Sequence, residues 1–239
     1  MTNLDTNRIA ALLKPFLTDV PDLNKNCHSE RSEESAVQSP AALSQAQLKN
    51  ISTYIDLLLR WNARINLTAI RHPEEIVTRH FGESLFAARY LFPTQKPGAE
   101  RATPSVIDLG SGAGFPGLPI KIWAPEIDLT LIESNQKKAV FLREVTRTLT
   151  LTNINIYSGR AEQYRSHSTQ LVTLRAVERF ASILPTAVNL LAPAGRLALL
   201  ISEAQLTTAK SLTPNLTWKA PLPIPLSSSR ILAVGIREP

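Results

Sequence analysis

The stretch that most constrains this chain runs from 105 to 117, Ser-Val-Ile-Asp-Leu-Gly-Ser-Gly-Ala-Gly-Phe-Pro-Gly. A short apolar run reaches an acid, Asp108; three glycines come next at alternate positions, Gly110, Gly112 and Gly114; Phe115, Pro116 and Gly117 close the stretch. Glycine belongs where the backbone turns with positive φ or comes close to another group, and a helix starting beyond such a turn offers free N–H groups. The stretch therefore predicts a strand, a tight loop and a helix start. It is also the candidate site for a nucleotide-like ligand.

The chain beyond the loop keeps this grammar. Short apolar runs predict strands at 105–109, 129–133, 154–158, 171–175, 196–202, 218–222 and 231–236, with helices at about 116–123, 136–149, 178–192 and 203–211 and a short one near 161–165. Strands alternating with helices argue for an α/β fold with a mostly parallel sheet covered on both faces. The link from Pro221 to Arg230 is too rich in proline and serine for a crossover helix. The last two strands are therefore expected as a hairpin, which puts one antiparallel strand in the seven-stranded sheet.

The chain before the loop is helical. Leu4, Ile9, Leu12, Leu13, Phe16 and Leu17 predict a first helix within 1–20, and residues 21–40 hold almost nothing to bury and read as a polar linker or disordered insert. Cys27 and His28 lie in that insert and read as solvated. As the only cysteine, Cys27 excludes an internal disulfide framework and a cysteine metal cluster, and no metal is expected. A helical region at 41–104 begins with a capping box at Ser44 and Gln47, ahead of Leu48, Ile51, Tyr54, Ile55, Leu58 and Trp61. A second long helix opens at Pro73, with Val77, Phe81, Leu85, Ala88 and Leu91 on its buried side. Arg60, Arg64, Arg71, Arg79 and His80 concentrate around this helix pair, and the 26 Lys and Arg against 20 Asp and Glu give a net charge of +6. That balance favours a polyanionic partner, although a solvated basic face has the same composition. No signal-like or membrane-spanning run is present, so a cytoplasmic location is expected.

Two chemistries compete for the loop. Gly112-Ala113-Gly114-Phe115-Pro116-Gly117 satisfies the G-x-G-x-x-G dinucleotide fingerprint, with Glu133, 19 residues beyond Gly114, placed for ribose hydroxyls. That reading makes the protein a dinucleotide-dependent oxidoreductase. Asp108 argues against it, because a carboxylate aimed at a pyrophosphate repels it. S-adenosylmethionine carries no phosphate and presents an ammonium and a sulfonium that a carboxylate suits. The D-x-G-x-G-x-G pattern followed by Glu133 resembles class I methyltransferases, domain 105–239.

The chain further resembles the bacterial small-subunit ribosomal RNA methyltransferase G family, also called glucose-inhibited division protein B, from about Leu43 to the C-terminus. The blocks that carry this are Trp61-Asn62-Ala63-Arg64-Ile65-Asn66-Leu67-Thr68 with Arg79-His80-Phe81-Gly82-Glu83-Ser84, then Asp108 to Lys121, then Leu171 to Val177. The resemblance implies a Rossmann-like class I S-adenosylmethionine-dependent methyltransferase acting on N7 of a guanosine in 16S ribosomal RNA; the partner is expected as that RNA or the small-subunit particle, and the protein as a monomer. Carried over by position, Gly110, Phe115, Glu133, Ala161, Glu162 and Arg175 contact the cofactor, with Asp108, Gly112 and Gly114 completing the loop; Arg175 is the best catalytic candidate, and the basic cluster binds RNA. Guanine N7 loses no proton before attack, so no general base is expected. The chain departs from the family pattern at Gln170, where an acid is usual, and at Leu199 to Ser202, where a lysine expected to face the substrate is replaced by Ile201. These departures keep a non-catalytic RNA-binding protein in play.

Overall fold

A computed structural model describes residues 4–18, 42–93, 103–165 and 168–238. The insert read at 21–40, with Cys27 and His28, lies outside the described residues, as does most of the proline-containing loop before 105. Helix α1 (Thr6–Leu17) starts at an Asp5 cap that accepts from Arg8 N at 2.7 Å, and buries Ile9, Leu13, Phe16 and Leu17. Helix α2 (Gln45–Asn62) opens on the expected capping box, Gln47 N donating to Ser44 Oγ at 3.2 Å and Ser44 N to Gln47 Oε1 at 2.8 Å.

The second long helix is continuous but not uniform. α3 (Pro73–Glu75) leads into a π-helical segment, Ile76–Gly82, which leads into α4 (Glu83–Leu91). The expected apolar side is buried, yet the period-3.6 pattern carries no mark of the wider turn. α1 packs closely onto it: a Cβ at Gly82 would lie 2.5 Å from the Phe16 ring. Wide turns of this kind concentrate at functional sites.

Strands β1 (Ser105–Leu109), β2 (Asp128–Glu133), β3 (Ile154–Ser158), β4 (Thr169–Arg175), β5 (Leu191–Ser202), β6 (Leu216–Trp218), β7 (Leu222–Pro223) and β8 (Arg230–Arg237) form one sheet. Its main path has seven strands in the order β3-β2-β1-β4-β5-β8-β6, and β7 pairs with β8. All pairings from β3 to β5 are parallel, and β8 is the single antiparallel strand, inserted between β5 and β6. The strand expected at 218–222 is therefore two short strands, β6 and β7. The helix expected to reach 192 stops earlier: α7 spans Phe180–Asn189, and β5 already begins at Leu191, paired with Thr169. Pro193 and Gly195 hid that strand start, where Ala194 takes a φ of 59° and the ladder slips between Thr169 and Leu171.

Alternate residues of each strand feed two cores. Val106, Leu129, Leu131, Leu171, Ala198 and Leu200 face α1, α2, α4, α5 (Gly117–Trp123) and α6 (Gln136–Thr148). Ile107, Leu109, Val172, Leu174, Leu197 and Leu199 face α7 and α8 (Glu203–Leu212). The N-terminal helices thus bury one face of the sheet. None of the described helices is long and apolar enough to cross a membrane.

Candidate active site

Because the strand order runs outward in opposite directions from β1 and β4, the carboxyl ends of β1, β2, β3 and β4 meet at a topological switch point, where ligands of such sheets bind. The glycine loop extends from β1, Glu133 ends β2, Ala161 opens a 3-10 turn after β3, and Arg175 ends β4. The residues expected for a cofactor therefore lie along one edge.

The loop is stitched down almost completely. Gly110, Gly112 and Gly114 have φ of 67°, 56° and 89°, the left-handed region the spacing implied. Gly110 N and Ser111 N donate to Ile132 O at 2.9 and 3.1 Å, and Gly114 N and Phe115 N to Ser111 O at 2.6 and 3.3 Å. Gly112 N donates to Glu133 Oε2 at 2.8 Å, while Glu133 Oε1 accepts from Asn135 N at 2.7 Å. Glu133 is 6% exposed, with lone pairs beyond these two bonds. Ala161 is buried and Glu162 exposed in the turn beside it.

Asp108 behaves differently from the expectation. Its carboxylate is fully buried beneath the loop, Oδ1 accepting from Thr173 Oγ1 at 2.8 Å and Oδ2 from Gly117 N at 3.3 Å. A Cβ on Gly117 would lie 2.8 Å from Oδ2. Burial pushes this carboxyl up to about 7, against the bonds from Thr173 and Gly117 that pull it down. Asp108 is a prop under the loop, not a carboxylate presented to a ligand's ammonium.

The N-terminal helices hold the loop from the other side. The Tyr54 hydroxyl donates to Ala113 O, and its ring stacks on Phe115 at 5.4 Å. His80 stacks on the same phenyl at 4.7 Å, and Phe81 meets it edge-on at 5.1 Å. His80 Nε2 lies 2.7 Å from Thr68 Oγ1. Thr68 is in turn fixed by Asn62, whose Oδ1 accepts from Leu67 N and Thr68 N at 2.9 and 3.0 Å. A run of contacts thus joins Asn62, Thr68 and His80 to Phe115, whose side chain is wedged among aromatics.

His80 corrects the reading of the basic cluster. It is 7% exposed, and burial first, then the charges of Arg175, Arg79 and Arg230, pushes it down to about 3, so it is a neutral ring within the core and no phosphate-binding cation. Arg60, Arg64 and Arg71 are exposed. Arg79, with a side chain 45% exposed, bonds through Nε to Glu83 Oε1 at 3.2 Å. Arg175 is 8% exposed and tied to Glu83 Oε2 through Nε at 3.1 Å and Nη2 at 3.0 Å, and to Arg79 O at 2.8 Å. It anchors Glu83 in a buried ion pair.

Sequence reasoning missed Glu83, Arg230, Tyr54 and Thr173. Glu83 stood within a block quoted for the resemblance, and Tyr54 read only as one more apolar position. Gln170 Oε1 accepts from Ser105 N at 2.7 Å at the amino end of the sheet. Ile201 is 2% exposed in the core beneath α7 and α8, so the position expected to face substrate is filled with core.

The model of the rRNA small subunit methyltransferase G family matches residues 47–220. The protein named Ribosomal RNA small subunit methyltransferase G from Lactococcus lactis subsp. cremoris (strain SK11) is 38% identical over 176 residues, 70% of this chain and 71% of that protein. Its namesake from Xanthomonas axonopodis pv. citri (strain 306) is 41% identical over 145 residues, 60% of this chain and 64% of that one. Among solved structures, P. horikoshii TYW2 in complex with MeSAdo superposes with a TM-score of 0.54 at 16% identity, covering 67% of this chain and 63% of that chain, a likeness of fold.

Proposed function

The chain belongs to the rRNA small subunit methyltransferase G family, and from that premise we propose that it transfers a methyl group from S-adenosylmethionine to N7 of a guanosine in 16S ribosomal RNA. One observation supports this cofactor over a dinucleotide. The amides of Gly110, Ser111, Gly112, Gly114, Phe115 and Gly117 all donate to protein acceptors, so the loop does not offer them to a pyrophosphate. At that edge the Glu133 carboxylate would take ribose hydroxyls, and the small Ala161 with Glu162 next to it would hold the adenine ring. That donor set fits a ligand rich in hydroxyls and free of phosphate.

When bound, the cofactor supplies a methyl group on a positively charged sulfur. The protein's part is then placement. Glu133 orients the ribose, Asp108 and Tyr54 hold the loop from below and from the side, and Phe115 locks it to the N-terminal helices. Guanine N7 attacks through a lone pair without losing a proton, so no base is required, and alignment of N7 with the methyl and sulfur provides the rate. Asp108 accepts from Thr173 and from Gly117 N of the loop, and His80 meets Thr68 through Nε2 and the loop through its ring on Phe115. Arg60, Arg64, Arg71 and Arg79 bind RNA phosphates around the site.

In this reading the protein is a cytoplasmic monomer. The test is incubation with labelled S-adenosylmethionine and under-methylated small-subunit RNA, naked or as particles, followed by nucleoside analysis. Label in 7-methylguanosine supports the proposal, and comparing the two substrates tells which one is used. Binding of NAD or NADP in preference to S-adenosylmethionine overturns it.

A further inference from the structure

Glu83 is a single buried carboxylate, 1% exposed, that faces three guanidinium groups. Arg175 and Arg230 approach Oε2 at 3.0 and 3.2 Å, and Arg79 approaches Oε1 at 3.2 Å. The three cations differ in how firmly they are held. Arg175 has three hydrogen bonds and a side chain 8% exposed. Arg230 donates from Nη2 to Leu200 O at 3.1 Å and is 21% exposed. Arg79 is 45% exposed and makes one bond to the carboxylate, beside a cavity of about 80 Å³ that it lines with Glu83, Phe16, Thr78, Leu226 and Ser227.

Resting on the function proposed above, we infer that Glu83 is a positioning residue with a surplus of counter-ions, which keeps Arg175 and Arg230 fixed and releases Arg79 to a phosphate of the RNA. A buried carboxylate that loses its sole partner is strongly destabilised. Glu83 escapes this, because Oε2 keeps Arg175 and Arg230 when Oε1 gives up Arg79. The bond given up is held by a half-exposed arginine, the kind that contributes little to stability. One negative against three positive charges also leaves a formal excess of two, which attracts phosphate before contact.

The experiment measures RNA dissociation constants across a salt series, cofactor affinity, single-turnover methyl transfer and melting temperature for the parent and for Arg79→Gln, Arg79→Lys and Glu83→Gln. In Arg79→Gln the slope of log affinity against log salt falls by about 0.7 to 0.9, the loss of one phosphate contact, while melting temperature and cofactor affinity stay at parental values. Arg79→Lys restores the slope. In Glu83→Gln RNA binding tightens by about 1.5- to 5-fold because Arg79 is already free, yet transfer slows as Arg175 and Arg230 lose their anchor. An unchanged slope in Arg79→Gln overturns the inference, as does equal weakening of RNA and cofactor in Glu83→Gln. If Glu83→Gln does not fold, the Arg79 pair decides alone. A parent that methylates no RNA overturns the proposed function instead, so the two failures are distinct.

Discussion

Replacing Tyr54 by phenylalanine removes one oxygen atom and should loosen the cofactor loop. Tyr54 is fully buried on α2, its hydroxyl donates to Ala113 O, and its ring packs on Phe115 at 5.4 Å and Phe81 at 5.2 Å. Phenylalanine keeps the ring contacts and leaves a buried carbonyl without that donor, a loss of about 1–3 kcal/mol. If the bond selects the loop conformation that binds cofactor, apparent affinity falls with the fraction of molecules still in that conformation, by at most about tenfold for 1.4 kcal/mol. Urea unfolding supplies the stability change, and calorimetric titration of S-adenosylmethionine the affinity. Trp61→Phe is the control: it also sits on α2, but its Nε1 donates to Glu144 Oε2 at 2.9 Å, so removing that bond acts on α6 and not on the loop. A Tyr54→Phe protein that loses stability at parental cofactor affinity refutes this coupling, as does a Trp61→Phe protein that weakens the cofactor equally.

Glu133→Gln should weaken S-adenosylmethionine binding by about 1.5–3 kcal/mol, the range for hydrogen bonds to a charged group, while Glu162→Gln on the exposed turn changes it less; titration calorimetry on both gives the comparison. Stability against pH should separate two of the buried titratable groups, His80 and Asp108. His80, pushed down to about 3 from 6.5, loses stability as pH falls from 6.5 towards 3, whereas Asp108, pushed up to about 7 from 3.8, gains stability as pH falls from 7 towards 3.8. The two nearly cancel between 3.8 and 6.5. Relative to the parent in that window, Asp108→Asn should therefore lose about 1.4 kcal/mol per pH unit on acidification and His80→Gln should gain about as much; slopes of equal sign contradict the burial of one of them. The single-turnover rate should be flat from about pH 6 to 9, and a steep limb abolished by one carboxylate substitution would reveal a base that N7 attack does not need.

The parts of the site that could be read from the sequence are those governed by local backbone rules. Three glycines at alternate positions take the positive φ that was one of their two expected uses, and Ser44 caps its helix with the Gln47 side chain as its spacing predicted. The S-adenosylmethionine reading leaned on Asp108 as a carboxylate presented to ligand, and this failed because the direction of a strand side chain depends on its cover. Asp108 shares a face with Val106, and α5 closes over that face through Gly117. The discrimination came instead from the loop amides, whose acceptors are Ile132 O and Glu133 of β2, Ser111 O of the loop and Asp108 beneath it. His80 was misread for a related reason, and the sequence does not name the partner of Arg175. Each is a polar residue whose partner, Thr68 or Glu83, is brought to it by tertiary packing, and the π-helical segment that carries His80 packs on α1 at Gly82.

The central claim is that this chain places guanine N7 against the methyl group of S-adenosylmethionine. Its most direct test is the identity of the labelled nucleoside after reaction of the purified protein with under-methylated small-subunit RNA or particles. The predicted result is label in 7-methylguanosine, lost in Glu133→Gln at limiting cofactor. Label in any other nucleoside, or none with cofactor bound and RNA retained, contradicts it.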